Sequence, residues 1–413
     1  MFVINDTLGA YGGSHTLMYR MCVWLSDHKI KTVVLCSDAS NVEIVKKIDA
    51  TGTRIQVVDR KHYNSLAHIL KKLQKEGPIK VLSFVFDLYL DLEVIKSKYN
   101  LSFENFIYCI HPATLKKGRG FQNRFLRHFS RKVMAPILMK MQRNTAVFMM
   151  DEITIDETQE YLDITFPSTP PILRLPMICN KKLSANKIIA QGFNSNTIIT
   201  ASRAEFPYKG YLLGLLDDFV YLNTEFSDIK LVIVSGGDDI NILINKINNL
   251  PSNIQKKISL FGWMEYELLL EIIKECKVFI GMGTSVLDAA LCYKPSIAVR
   301  FDTYENIGNC MISERPELIT TNQNCNDRAV ILLEKVLKMN DSEYMQESLD
   351  SFEKVKCTYD IDIFMETLLN AKTMTNDSLL SKWEIFVHDV NRFRLSMRQS
   401  SEKSFDYNNL FKK

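Results

Sequence analysis

The sequence predicts an α/β protein with two doubly wound parallel-sheet domains. Three observations carry that expectation. The chain has 413 residues, more than one ordinary hydrophobic core accommodates. Short apolar runs alternate with amphipathic stretches along most of it, the pattern of strands covered by helices on both faces. Four of its eleven prolines fall within 166–176, a composition break that reads as a linker between two such alternations.

The first alternation starts with a short strand at the N-terminus. Apolar runs at 32–36, 55–58, 81–86 and 106–110 read as buried strands, and 14–28, 42–50 and 65–74 as the helices between them. After the proline-rich segment, strands are expected at 197–200, 230–234, 258–261 and 278–280, with helices at 211–223, 240–248 and 265–275. A last amphipathic helix spans roughly 378–397, with Leu379, Leu380, Trp383, Phe386, Val387, Val390 and Phe393 on one side. The expected domains are 1–180, 181–377 and a C-terminal helix, 378–413, returning to the first domain. Two such sheets would hold a ligand in a central cleft, at the carboxyl ends of their strands.

Composition narrows the class. The chain is 46% hydrophobic and 24% charged with a net charge of +3, an ordinary globular balance. Nine scattered cysteines with no CxxC pair fit reduced thiols rather than a disulfide framework or a zinc site. No leader and no membrane-spanning run is visible, so a cytoplasmic protein is expected, with any membrane contact peripheral. No nucleic-acid module is recognisable.

The residues with the most chemical content lie at 279–299: a buried strand, the Gly-rich turn Gly281-Met282-Gly283, a short helix and a second strand begun by Lys294-Pro295. Thr284 and Ser285 are N-cap types, and a helix N-terminus suits a phosphate. Asp288 follows where a carboxylate could reach a ribose hydroxyl, or could close a capping box with Ser285. In 202–210, between a strand and a helix, Arg203 and Lys209 could neutralise a diphosphate, or could be two solvated loop cations. Gly262-Trp263 ends another strand, where Trp263 could lie against a base or belong to the core. Gly12-Gly13 follows the first strand, off the GxGxxG spacing of dinucleotide sites. His111 closes a strand and could orient a sugar hydroxyl or serve structure alone.

Two further stretches stand out. Residues 105–150 contain no Asp or Glu but carry Lys116, Lys117, Arg119, Arg124, Arg127, Arg131, Lys132, Lys140 and Arg143, interleaved with apolar residues. This reads as a basic amphipathic surface for anionic lipid or an anionic acceptor, or as a solvated helix face. Asp360-Ile-Asp362 is a DxD pattern on a helical stretch, and no metal is assigned to it.

Taken in chain order, these pieces resemble the retaining GT-B glycosyltransferases of the large GT4-type family. They are Gly12-Gly13 after the first strand, strand-ending His111, Arg203-x5-Lys209-Gly210, Phe261-Gly262 and the Gly-rich turn with its helix. The family pattern E-G-F-G-x-x-x-L-E-A-x-x-x-x-x-P falls on residues 280–295, where Ile280 replaces the first glutamate and Asp288 the second. The resemblance implies two Rossmann-like domains and a transferase moving a sugar from a UDP- or GDP-type donor to a hydroxyl, with retention and without metal or cofactor. It implies His111, Arg203 and Lys209 as catalytic residues. Gly12, Gly13, Gly262, Trp263, Gly283, Thr284, Ser285 and Asp288 would bind the donor. The acceptor would be lipid-linked or a polysaccharide, at an anionic membrane surface met by Lys116, Lys117, Arg119, Arg124, Arg127, Arg131 and Lys132. Alternatives are a GT-B binding subunit that has lost catalysis, motivated by Ile280, and a sugar-nucleotide epimerase of like architecture.

Overall fold

A computed structural model describes residues 1–8, 13–59, 62–109, 124–179, 184–320, 325 and 327–390. The chain forms two compact units, Met1–Arg174 with Phe364–Lys413, and Leu175–Ile363.

The first unit begins β1 (Phe2–Asp6), α1 (Gly13–Asp27), β2 (Thr32–Cys36), α2 (Val42–Asp49), β3 (Arg54–Val57), α3 (Tyr63–Gln74) and β4 (Lys80–Ser83). It continues α4 (Phe86–Tyr99), β5 (Glu104–Cys109), α5 (Arg124–Arg143), β6 (Val147–Met149) and α6 (Glu152–Leu162). The six strands form one parallel sheet, order β3-β2-β1-β4-β5-β6. Every residue of β1 and β2 is buried, as expected of central strands covered on both faces. The order reverses between β1 and β4, where Asn5 Nδ2 donates to Ser83 Oγ (3.0 Å) and the Leu88 carbonyl (3.1 Å).

Two sequence expectations change here. The apolar run 81–86 is not one strand: β4 stops at Ser83 and α4 starts at Phe86. Apart from half-buried Asp87, residues 86–96 are all buried, so α4 shows no polar face to mark it as a helix. The proline-rich segment is not a free linker. Ile172 bridges Met149 in parallel, Met149 N donates to the Pro171 carbonyl (3.0 Å), and Leu173 N to the Met149 carbonyl (2.8 Å). A sheet edge tolerates proline's missing N–H.

The second unit contains α7 (Ala185–Phe193), β7 (Thr197–Ala201), α8 (Tyr211–Leu222), β8 (Lys230–Val234), α9 (Ile240–Asn248), α10 (Ser252–Gln255), β9 (Ile258–Phe261) and α11 (Tyr266–Lys274). There follow β10 (Val278–Gly281), α12 (Thr284–Leu291), β11 (Ser296–Ala298), β12 (Ile307–Met311), β13 (Asp327–Arg328), α13 (Ala329–Lys338) and α14 (Asp341–Thr358). The sheet order is β13-β12-β11-β10-β7-β8-β9. β7 to β11 run parallel, whereas β12 and β13 pair antiparallel with their neighbours. β12 reads Ile-Gly-Asn-Cys-Met, and its glycine and asparagine hide it from a search for apolar runs. Ile198, Leu216, Phe219, Leu231, Val278 and Ile280 lie in one buried cluster at the sheet's core. Lys294 does more than close α12: it is wholly buried, and its Nζ donates to the Ile188 carbonyl of α7 (2.8 Å).

The chain passes back to the first unit within α15 (Ile361–Asn370) and ends, as described, in α16 (382–390). The Asp360 carboxylate accepts the Asp362 N–H (2.7 Å), so the DxD pattern closes a turn at the start of α15. α16 packs onto the first unit. Leu380 and Ile385 join Ile137, Leu138 and Met141 of α5 in one buried cluster. Glu384 accepts from Lys140 Nζ (2.7 and 2.8 Å), Asp389 from Tyr63 (3.0 Å) and Lys98 (2.7 Å), and His388 meets Asp91 (2.9 Å). Residues 391–397 of the expected helix lie outside the described residues.

Candidate functional site

In the second unit the strand order reverses between β10 and β7, and the carboxyl ends of neighbouring strands carry most of the sequence-predicted residues. A crevice at such a switch point is where open α/β sheets take ligands. The loops there are stitched together. Ser202 N donates to the Val234 carbonyl (3.0 Å), Ala204 N to the Gly236 carbonyl (2.7 Å) and Ser235 N to the Phe261 carbonyl (2.9 Å). Phe206 N donates to Asp239 Oδ2 (2.7 Å). Across the switch point, Ser285 Oγ donates to the Ala201 carbonyl (3.1 Å), tying the start of α12 to the end of β7.

This stitching presents two cations together. Arg203 is exposed, with its side-chain stem lying over Gly237; a Cβ there would come within 2.7 Å of Arg203 Cγ. Gly237 also has φ +115°, a conformation L side chains rarely adopt. Lys209 stands half-buried just ahead of α8. Burial and the neighbouring Arg203 charge lower its ammonium pKa to about 8, against an opposing pull from Glu205. The two cations are thus near enough for the charge of Arg203 to disfavour that of Lys209. Gly236 and Gly237 were not singled out by the sequence reading, although a Gly-Gly pair directly after a predicted strand is a usable signal.

α12 opens at the same switch point. Only Met282 and Gly283 separate it from β10. The N-cap is Gly283, in the left-handed region at φ 70°, rather than Thr284 or Ser285. No side chain caps the helix, because Ser285 Oγ donates to the carbonyls of Ala201 and Met282 (3.1 and 3.2 Å). The first N–H groups of α12 therefore keep their capacity for a ligand. Asp288 sits in the second turn, not the first, and forms no capping box with Ser285. It is buried and accepts a hydrogen bond from Tyr266 (2.7 Å), a residue the sequence reading passed over.

Trp263 is 64% exposed, so it is not a core aromatic. Its indole packs over Gly236, where a Cβ would come within 2.3 Å of Nε1. Gly262 has open space around it, whereas Gly236 is the glycine against which the indole packs. Arg203, Trp263 and α12 thus rise from loops joined by the contacts above.

The other predicted residues are placed only in part. Gly12, His111, Lys116, Lys117 and Arg119 lie outside the described residues, and Gly13 is described only as the start of α1. Arg124, Arg127 and Arg131 belong to α5, without described side chains; Lys132 is exposed. Lys140 is occupied by Glu384. Among the described residues, no group of three His, Cys, Asp or Glu converges as a metal site, and no helix is long and apolar enough to cross a membrane.

No family model and no curated protein matches the sequence. Solved structures match the fold over most of its length. Anabaena HepE, solved with UDP, superposes with a TM-score of 0.63 at 11% identity, over 89% of this chain and 98% of that one. A glycosyltransferase from Rickettsia africae gives 0.60 at 14% identity, over 89% and 97%. TarM of S. aureus gives 0.56 at 12% identity, over 90% and 99%. The chain has the two-domain GT-B fold.

Proposed function

We propose that the protein is a GT4-like glycosyltransferase that moves a sugar from a UDP-type donor to a hydroxyl of a lipid-linked or polysaccharide acceptor. The observation that carries this is that the loop bearing Arg203 and Lys209 leaves β7 while the uncapped α12 follows its neighbour β10, the two tied by Ser285 to the Ala201 carbonyl at the switch point. The acceptor hydroxyl oxygen forms a bond to the sugar C1 as the C1–O bond to the β-phosphate breaks, and its proton passes to the departing diphosphate oxygen. The nucleoside diphosphate leaves with the electron pair, and the cations and helix dipole stabilise it without metal. Asp288, held by Tyr266, takes the ribose, and Trp263 the base. The UDP complexes of HepE support the choice of base. Configuration at C1 is retained. The product belongs to surface polysaccharide or glycolipid assembly at the inner membrane face, with His111 and Gly12-Gly13 on the sugar side. A thermal-shift panel of UDP, GDP, ADP and CMP tests the reading. UDP at about 100 times its Kd should stabilise by about 2.7 kcal/mol; no shift with any diphosphate would sink it.

Two results follow from the geometry. Trp263→Ala should weaken UDP binding by about tenfold through lost stacking, and Gly236→Ala similarly, because its Cβ displaces the indole. Titration calorimetry checks both, and wild-type affinity in both variants removes Trp263 from the site. Binding should also depend on pH. Lys209 attracts the diphosphate only when protonated, so affinity should fall as pH rises through about 8. Lys209→Arg should flatten that fall between pH 7 and 9.5, since Arg stays charged.

A second reading, a GT-B binding subunit without catalysis, is favoured by Ile280 alone. Its mark would be UDP binding without donor cleavage under any acceptor.

A further inference from the structure

Resting on the peripheral-membrane reading above, we propose that the α16 surface is the membrane-docking face of the first unit, and that its partner is a bilayer containing anionic phospholipid. Trp383, Phe386 and Val390 are 64%, 56% and 41% exposed and recur at helical spacing, with the two aromatic rings stacked 5.7 Å apart. Exposed Lys382 shares this face. The acids of α16 are both paired: buried Glu384 is bound by Lys140, and half-exposed Asp389, which borders the face, by Tyr63 and Lys98. The outward face is therefore apolar and cationic.

Charge points to the occupant. The Lys140–Glu384 pair joins α16 directly to α5, which carries exposed Lys132 and Arg143 and contains no acid. An aromatic stripe beside a basic helix matches the two halves of a bilayer interface: rings settle at the headgroup level, and cations meet anionic lipid. A soluble protein partner would call for unpaired acids on the face to complement mixed charge, and both acids of α16 are already paired with cations of their own unit.

Vesicle flotation of the full chain tests this, using phosphatidylcholine with and without phosphatidylglycerol. Wild type should bind the anionic vesicles and release with salt. The Trp383→Ala/Phe386→Ala double variant should lose at least about tenfold in partition, and Lys382→Glu about fivefold on anionic vesicles only. All three positions are exposed, so unchanged melting curves should accompany these losses. Equal binding to both vesicle types, no binding by wild type, or full binding by the double variant would overturn the inference. So would a concentration-dependent dimer in sedimentation that the double variant abolishes, since a second copy would then cover the face. UDP binding is measured on the same samples. Its survival while vesicle binding fails rejects the docking face alone; its absence in wild type rejects the donor site instead.

Discussion

Lys209→Ala and Arg203→Ala are each expected to lower kcat/KM for sugar transfer by about 10²–10³-fold, the scale of losing one preorganised charge-stabilising donor. The two effects should not add, because each cation conditions the other: Arg203 is a cause of the lowered Lys209 pKa. The paired variant should fall little below the weaker single one. Neither change should lower stability, since Arg203 is exposed and Lys209 carries a desolvation cost in the free protein. Initial rates with a UDP-sugar, set beside melting curves, check this. Full activity in both single variants would move the site elsewhere.

The second large effect is at Ile280. The resembling family pattern has a glutamate here, which on pattern alone makes Ile280→Glu the restoring change. The structure predicts damage instead. Ile280 is fully buried among the core residues of the second unit's sheet. A carboxylate there would be unpaired, at a cost on the order of several kcal/mol. For a unit of this size, a loss of about 3 kcal/mol lowers the melting temperature by roughly 10 °C. Ile280→Val should cost only about 1 kcal/mol and leave transfer intact. If Ile280→Glu melts like wild type and gains donor cleavage, position 280 faces the ligand and the binding-subunit reading was right about the native chain.

The two sheets were legible because their strands are short apolar runs between amphipathic stretches, as in 197–201 and 278–281. What escaped has physical reasons. α4 is buried along 88–96 and so lacks an amphipathic signature, while β12 carries glycine and asparagine in place of an apolar run. At the site, Arg203, Lys209 and Gly283 could be read from strand–loop–helix context, and the structure brings the two cations together. The Gly236-Gly237 pair after a strand was a usable signal too, but what it packs against was not, and Tyr266 carried no signal at all. Their relevance comes from packing against Trp263, Arg203 and Asp288 at sequence distances of 22–34 residues, which no local pattern encodes.

The anchoring of α16 has a consequence for how the chain is made. Buried Glu93 receives Asn105, Lys96 and, 286 residues later, the Leu379 N–H. Leu380 and Ile385 complete the apolar cluster that α5 begins. During synthesis at roughly 5–20 residues per second, the first unit waits roughly 15–60 s for these last parts. The second unit, continuous in sequence from 175 to 363, emerges whole before then. The N-terminal half is thus the first to leave the ribosome and the last to be finished, and until then its sheet is the part of the molecule most exposed to chaperones.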